Sequence, residues 1–221
     1  MNLISFFKKI INFLLDTAFP RTKLEKKLSE ITAEELYSEA PKTRNEDKKM
    51  ITVFSYEDKL IKEAISSFKF RKNKRLAKIF AQILYDEILE HMSELETFSN
   101  FKKPILIPIP LSKQRMRERG FNQCELIAKE MSILDKDSSF VFEKNVLIKI
   151  KDTPHQSRAK NKKERLENLK KSFSVKQSEK IRGKNILLLD DVTTTGTTLK
   201  EASKTLRRYG AKKIICLTIA H

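Results

Sequence analysis

A chain of 221 residues and 25.8 kDa is long enough to bury a core without disulfide or metal staples. With 39% hydrophobic and 34% charged residues it reads as a soluble globular protein, and no apolar run approaches the roughly 20 residues that cross a bilayer. The formal net charge of +17 favours phosphate-bearing partners, whether nucleic acid, anionic lipid or a small phosphorylated substrate, but it is equally compatible with plain solvated lysine faces.

The first apolar residues, Leu3, Phe7, Ile10, Ile11, Leu14 and Leu15, recur at helical spacing. Lys8 and Lys9 interrupt them and no small-residue cleavage site follows, so an amphipathic helix is expected rather than a signal peptide. Such a helix docks on a core or, alternatively, lies on an anionic membrane surface. Arg21–Glu39 carries a thinner stripe of Leu24, Leu28, Ile31 and Leu36 among Lys and Glu. Residues 1–48 are therefore taken as a helical N-terminal extension, and 49–221 as the main domain.

That domain opens with a β-prone run from Ile51, followed by helical patterns through Leu60–Phe68 and Arg75–Leu95. Lys69–Arg75 is expected to be a basic connector between them. Short apolar runs then alternate with helical stretches: Pro104–Pro110, a helix over Asn122–Met131, Val141–Ile150, Ile186–Leu189, a helix over Leu199–Tyr209, and Lys213–Ala220. This alternation implies an α/β domain with a parallel sheet flanked by helices. Residues 151–172 are polar and basic, a long loop or exposed helix that includes His155 and Gln156.

Cys124 and Cys216 are far apart and form no Cys-x-x-Cys, and His91, His155 and His221 stand singly. Neither a disulfide framework nor a zinc site is supported, no metal ligand is assigned, and a cytoplasmic setting is expected. Peripheral attachment to the inner face of the membrane is the alternative.

The most informative segment is Ile186-Leu-Leu-Leu-Asp-Asp-Val-Thr-Thr-Thr-Gly-Thr-Thr198. An apolar strand ending in Asp190 and Asp191 places both carboxylates at the carboxyl edge of a parallel sheet, where open α/β sheets bind ligands. The following Thr193, Thr194, Thr195, Gly196, Thr197 and Thr198 offer amides and hydroxyls ahead of a helix, an arrangement suited to phosphate. Two carboxylates would repel a bare phosphate, but a ribose 5-phosphate resolves the conflict. Its phosphate lies in the loop while the aspartates accept from the sugar hydroxyls. No Gly-Lys-Ser/Thr is present, which excludes a P-loop. Gly196 is expected to supply a backbone geometry closed to other residues.

Four apolar residues, two acids, an apolar residue and Thr-Thr-Gly-Thr-Thr closely resemble the signature of type I phosphoribosyltransferases. The run Pro108–Ala128, the run Ile65–Ala77, and Thr153, Gln156, Arg165, Asn168 and Phe173 further resemble the ComF family of competence proteins. The resemblance implies 5-phosphoribosyl 1-pyrophosphate as ligand, with Mg²⁺ bound through its pyrophosphate, and a transferase reaction on an unknown acceptor. It also implies that the segment after Pro110 (Ser112, Lys113, Arg115, Arg117, Arg119) is the pyrophosphate loop, with Lys113 and Arg115 beside Asp190 and Asp191 as candidate catalytic residues. Asn122 is expected to cap the next helix. Single-stranded DNA and the DNA-uptake proteins of competence are the partners that the family suggests. A non-catalytic DNA-uptake or regulatory module that keeps the sugar-phosphate site is the second reading. Family members carry a cysteine zinc module after a Phe-Pro like Phe19-Pro20, but Arg21–Thr43 has no cysteine, so no zinc is expected here.

Overall fold

The computed structural model describes residues 22–43, 47, 49–71, 73–151 and 172–221. The expected helix over residues 3–15, and His155, Gln156 and the basic stretch 158–171, lie outside them. The chain divides into two compact units between Thr32 and Ala33. In the first, helix α1 (Lys23–Glu30) begins with a capping box: Thr22 Oγ1 accepts the Glu25 N–H, and the Glu25 carboxylate accepts the Thr22 N–H.

The second unit contains α2 (Ala33–Glu39), β1 (Met50–Phe54), α3 (Lys59–Phe70), α4 (Arg75–Ser99), β2 (Ile105–Pro108), α5 (Lys113–Arg119), α6 (Gln123–Leu134), β3 (Val141–Phe142), β4 (Leu147–Lys149), β5 (Phe173–Val175), β6 (Ile186–Val192), α7 (Thr197–Arg208) and β7 (Ile214–Ala220). Five strands form a wholly parallel sheet in the order β1-β7-β6-β2-β3. The sequence explains the order of burial. In the central strands, Ile186-Leu-Leu-Leu189 and every residue of β7 are buried, as both faces of the sheet are covered. Thr52 and Thr218 are polar positions in this interior, and their hydroxyls satisfy each other at 2.8 Å across β1 and β7.

Local chemistry fixes the joints that matter for the site. Ser112 caps α5 through the Arg115 N–H, and Gly120, at φ +79°, ends that helix in a left-handed turn. Asn122 caps α6 as expected, accepting the Cys124 N–H, and its amide also donates to the Ile109 carbonyl. One side chain thus ties the end of β2 to the start of α6, a link worth about 1 kcal/mol at the cap alone.

Three sequence-based expectations need correction. The basic segment after Pro110, expected as a loop, forms a capped helix over Lys113–Arg119. The connector at Lys69 begins later, because α3 runs on to Phe70. The single strand expected over Val141–Ile150 is two: β3 joins the main sheet beside β2, whereas β4 leaves it to pair antiparallel with β5. The polar Glu143–Asn145 separates them, and β5 is too short, at three residues, to announce itself by alternation.

Candidate functional site

Because the sheet is parallel, every strand delivers its carboxyl end to the same edge. At that edge a cavity of about 310 Å³ is lined by Asp190 and Asp191 from β6, Thr194 and Thr198 beyond it, Arg115 and Arg119 from α5, Cys124 from α6, and Lys69 from α3. Tyr56 after β1 and Lys149 of β4 complete the wall used below.

The acid pair is held tightly. The Asp191 N–H donates to Asp190 Oδ1 at 2.9 Å, and the Val192 N–H donates to Asp191 Oδ1 at 2.7 Å, so each carboxylate bonds the amide that follows it. The Cys124 thiol donates to Asp190 Oδ1 at 3.6 Å. Lys69 Nζ stands 2.9 Å from Asp191 Oδ1, and an Arg119 guanidinium nitrogen 3.8 Å from Asp191 Oδ2. The Asp190 carboxyl is pushed up to about 7, first by its enclosure in protein and then by the charge of Asp191, with Lys69 pulling the other way. Burial, followed by Arg119, lowers the Arg115 guanidinium from its ordinary value, while Asp191 and Asp190 oppose that shift. Burial also raises the Cys124 thiol well above the usual range, which makes it a poor nucleophile.

The threonine loop is anchored from beneath. The Thr193 N–H donates to the Ala220 carbonyl at 3.0 Å, and His221 Nε2 lies 3.1 Å from the Thr194 carbonyl oxygen. Gly196 adopts φ +64° with no close neighbour to a notional Cβ, so it is the backbone conformation, not space, that calls for glycine. The N-cap of α7, Gly196, has no side chain to cap the helix, and the positive end of its dipole faces the loop. Thr197 is buried with its hydroxyl 2.6 Å from that of Thr195, while Thr194 and Thr198 reach the cavity wall.

Residues 136–221 match the phosphoribosyl transferase domain family. Competence protein ComFC of Bacillus subtilis is 35% identical over 159 residues, covering 72% of this chain and 58% of that protein. Competence protein F of Haemophilus influenzae is 33% identical over 153 residues, covering 68% of this chain and 63% of that protein. Over most of its length the chain is thus similar to competence proteins of the ComF family, and its parallel sheet has a type I phosphoribosyltransferase fold. It spans less than two thirds of the length of these two relatives. DNA utilization protein YhgH of Escherichia coli is 27% identical over 178 residues, 77% of this chain and 73% of that protein.

The acid pair, Thr194, Thr198 and Arg115 line one cavity. Lys113 does not join them: it is exposed and absent from the cavity wall. Helical geometry gives the reason. Arg115 and Arg119, four residues apart, share one face of α5, and Lys113 and Arg117 share the outward one. Sequence reasoning missed Lys69 and Cys124 as site residues and gave Arg119 no direct role. The i, i+4 spacing of Arg115 and Arg119 could have singled out the second arginine. Lys69 carries no such signal, since its position depends on where α3 ends.

Proposed function

We propose that the protein binds 5-phosphoribosyl 1-pyrophosphate at this carboxyl edge and transfers its phosphoribosyl group to an acceptor. The observation that carries the proposal is the adjacency of an acid pair, a threonine loop backed by an uncapped helix N-terminus, and two inward arginines around one cavity. The loop from Thr193 to Thr198 holds the 5-phosphate through amides and hydroxyls. Asp190 and Asp191 accept hydrogen bonds from the ribose hydroxyls and fix the ring. Arg115 and Arg119 face the pyrophosphate, whose charge grows as the ribosyl C1–oxygen bond breaks; the acceptor's lone pair forms the new bond at C1 and pyrophosphate departs.

Among the described residues, no three His, Cys, Asp or Glu side chains come together in a metal-ligating group. Mg²⁺ would enter this site with the pyrophosphate-bearing ligand and would neutralise the leaving group. Calorimetric titration of 5-phosphoribosyl 1-pyrophosphate with Mg²⁺ tests the proposal. Wild type binds, and the double variant Asp190→Asn/Asp191→Asn loses affinity by about 100-fold or more, as expected when charged acceptors of buried hydrogen bonds are removed. A folded wild type that binds nothing ends it.

A second reading is favoured by the outward cations Lys113 and Arg117, the net charge of +17, and relatives whose names refer to competence and DNA utilization. Here the domain is a DNA-uptake module that contacts single-stranded DNA outside the sugar site. Steep salt dependence of DNA binding, unaffected by the sugar ligand, distinguishes it.

A further inference from the structure

Lys69 reaches Asp191 from a helix that contributes no other described residue to the cavity wall. That helix, α3, is fixed at both ends. At its start, Asp58 Oδ1 accepts the Ile61 N–H at 2.9 Å. Near its end, the Phe68 ring packs against those of Phe80 and Phe121, each at a centroid distance of 5.8 Å. The ring of Phe70 lies 5.6 Å from the Arg119 guanidinium, so α3 and α5 meet directly over the acid pair. These contacts hold Lys69 Nζ 2.9 Å from Asp191 Oδ1, with side chains only 14% and 11% exposed. A surface lysine samples many rotamers, whereas this one is confined by its surroundings.

Among the described residues, the other charged or titratable groups lining this cavity are Arg115 and Arg119 of α5, Cys124 of α6, Lys149 of β4 and Tyr56. The ion pair from Lys69 is shorter than that from Arg119, at 2.9 against 3.8 Å. We propose that Lys69 is the positioning residue of the acid pair: its ammonium orients the Asp191 carboxylate as a hydroxyl acceptor and supplies the positive charge that lets Asp190 act as an acceptor beside it. This assignment rests on the sugar-binding reading above. A vicinal diol needs both carboxylates as acceptors, and Asp190 reaches that state by giving up its proton. Lys69 opposes the upward shift that burial and Asp191 impose on Asp190, so it favours that loss near neutral pH.

The test combines two measurements on wild type, Lys69→Met and Lys69→Arg. Carbon-13 carboxyl NMR titration without ligand follows Asp190 directly. Calorimetry with 5-phosphoribosyl 1-pyrophosphate and Mg²⁺ is run from about pH 6 to about pH 9, bracketing the raised carboxyl. In Lys69→Met the Asp190 midpoint moves up by about one unit or more. Sugar binding at neutral pH weakens by about tenfold and recovers as the pH rises, which a merely structural role would not produce. Lys69→Arg restores both. An unmoved midpoint overturns the proposal, as does a loss of affinity equal at every pH. A shifted midpoint in a protein whose wild type binds no sugar phosphate would sink the function reading while sustaining the assignment of Lys69.

Discussion

The two edges of one sheet differ in the size and the charge of the cavities they carry. At the amino edge, where β1 and β7 begin, lies a larger cavity of about 730 Å³, walled by Ile51, Leu95, Phe98, Phe101, Ile214 and Ile215 with charged groups around them. At the carboxyl edge the cavity is less than half that volume and is built from an acid pair, two arginines and hydroxyls. The contrast follows from connectivity. α7 presents its N-terminus to the carboxyl edge, whereas the last turns of α4 and α7, with Phe98 and Arg207, lie at the amino edge. Partial positive charge therefore faces the acid-and-threonine edge, and partial negative charge the apolar one. Charge placement, not volume, is what sets the proposed site apart from the other edge.

The comparison is tested most severely at Arg119. Arg119→Met removes a cation that faces both Asp191 and the proposed pyrophosphate, so sugar-ligand affinity should drop by about 10- to 100-fold in calorimetry. Survival of full affinity would mean that the inward face of α5 is not part of the site.

A smaller effect separates the edges by pH. A carboxyl whose folded value is raised stabilises the fold while it keeps its proton and loses that contribution as pH rises toward about 7. Asp190→Asn does not titrate, so its melting temperature relative to wild type should be higher at about pH 8 than at about pH 5. A difference independent of pH would show that Asp190 sits in no such environment. The smallest effect is expected at the amino edge. Phe98 is 83% exposed, so Phe98→Ser should change stability by no more than about 0.5 kcal/mol and leave sugar-ligand affinity untouched. A loss of affinity there would couple the two edges and dissolve the contrast between them.

The acid loop was legible in the sequence because its whole mechanism is contiguous: strand, two acids, threonines, glycine and helix follow one another within Ile186–Arg208. The parallel sheet was equally plain from its unbroken apolar runs. The cations were not, because their placement depends on tertiary geometry. Lys69 read as a connector residue, and only the length of α3 and the packing of Phe68 turn it toward Asp191. Arg115 separates from Lys113 only once the segment is known to be helical. The β4–β5 hairpin stayed hidden because its two three-residue strands are separated by residues 150–172. A short strand with a distant partner leaves almost no periodic trace.

The two free cysteines give the molecule its own clocks. Cys124 stands at the head of α6 against Asp190, and Cys216 lies in β7; both are buried. Burial holds the first thiol well above its usual range and lifts the second to about 11, so neither presents a thiolate to a reagent while its element stays closed. Alkylation of Cys124 therefore times the opening of the rim at the carboxyl edge, and alkylation of Cys216 times the parting of the central strands. The ratio of the two rates measures how far the rim can breathe without the sheet coming apart, in the unlabelled natural sequence and with no engineered probe.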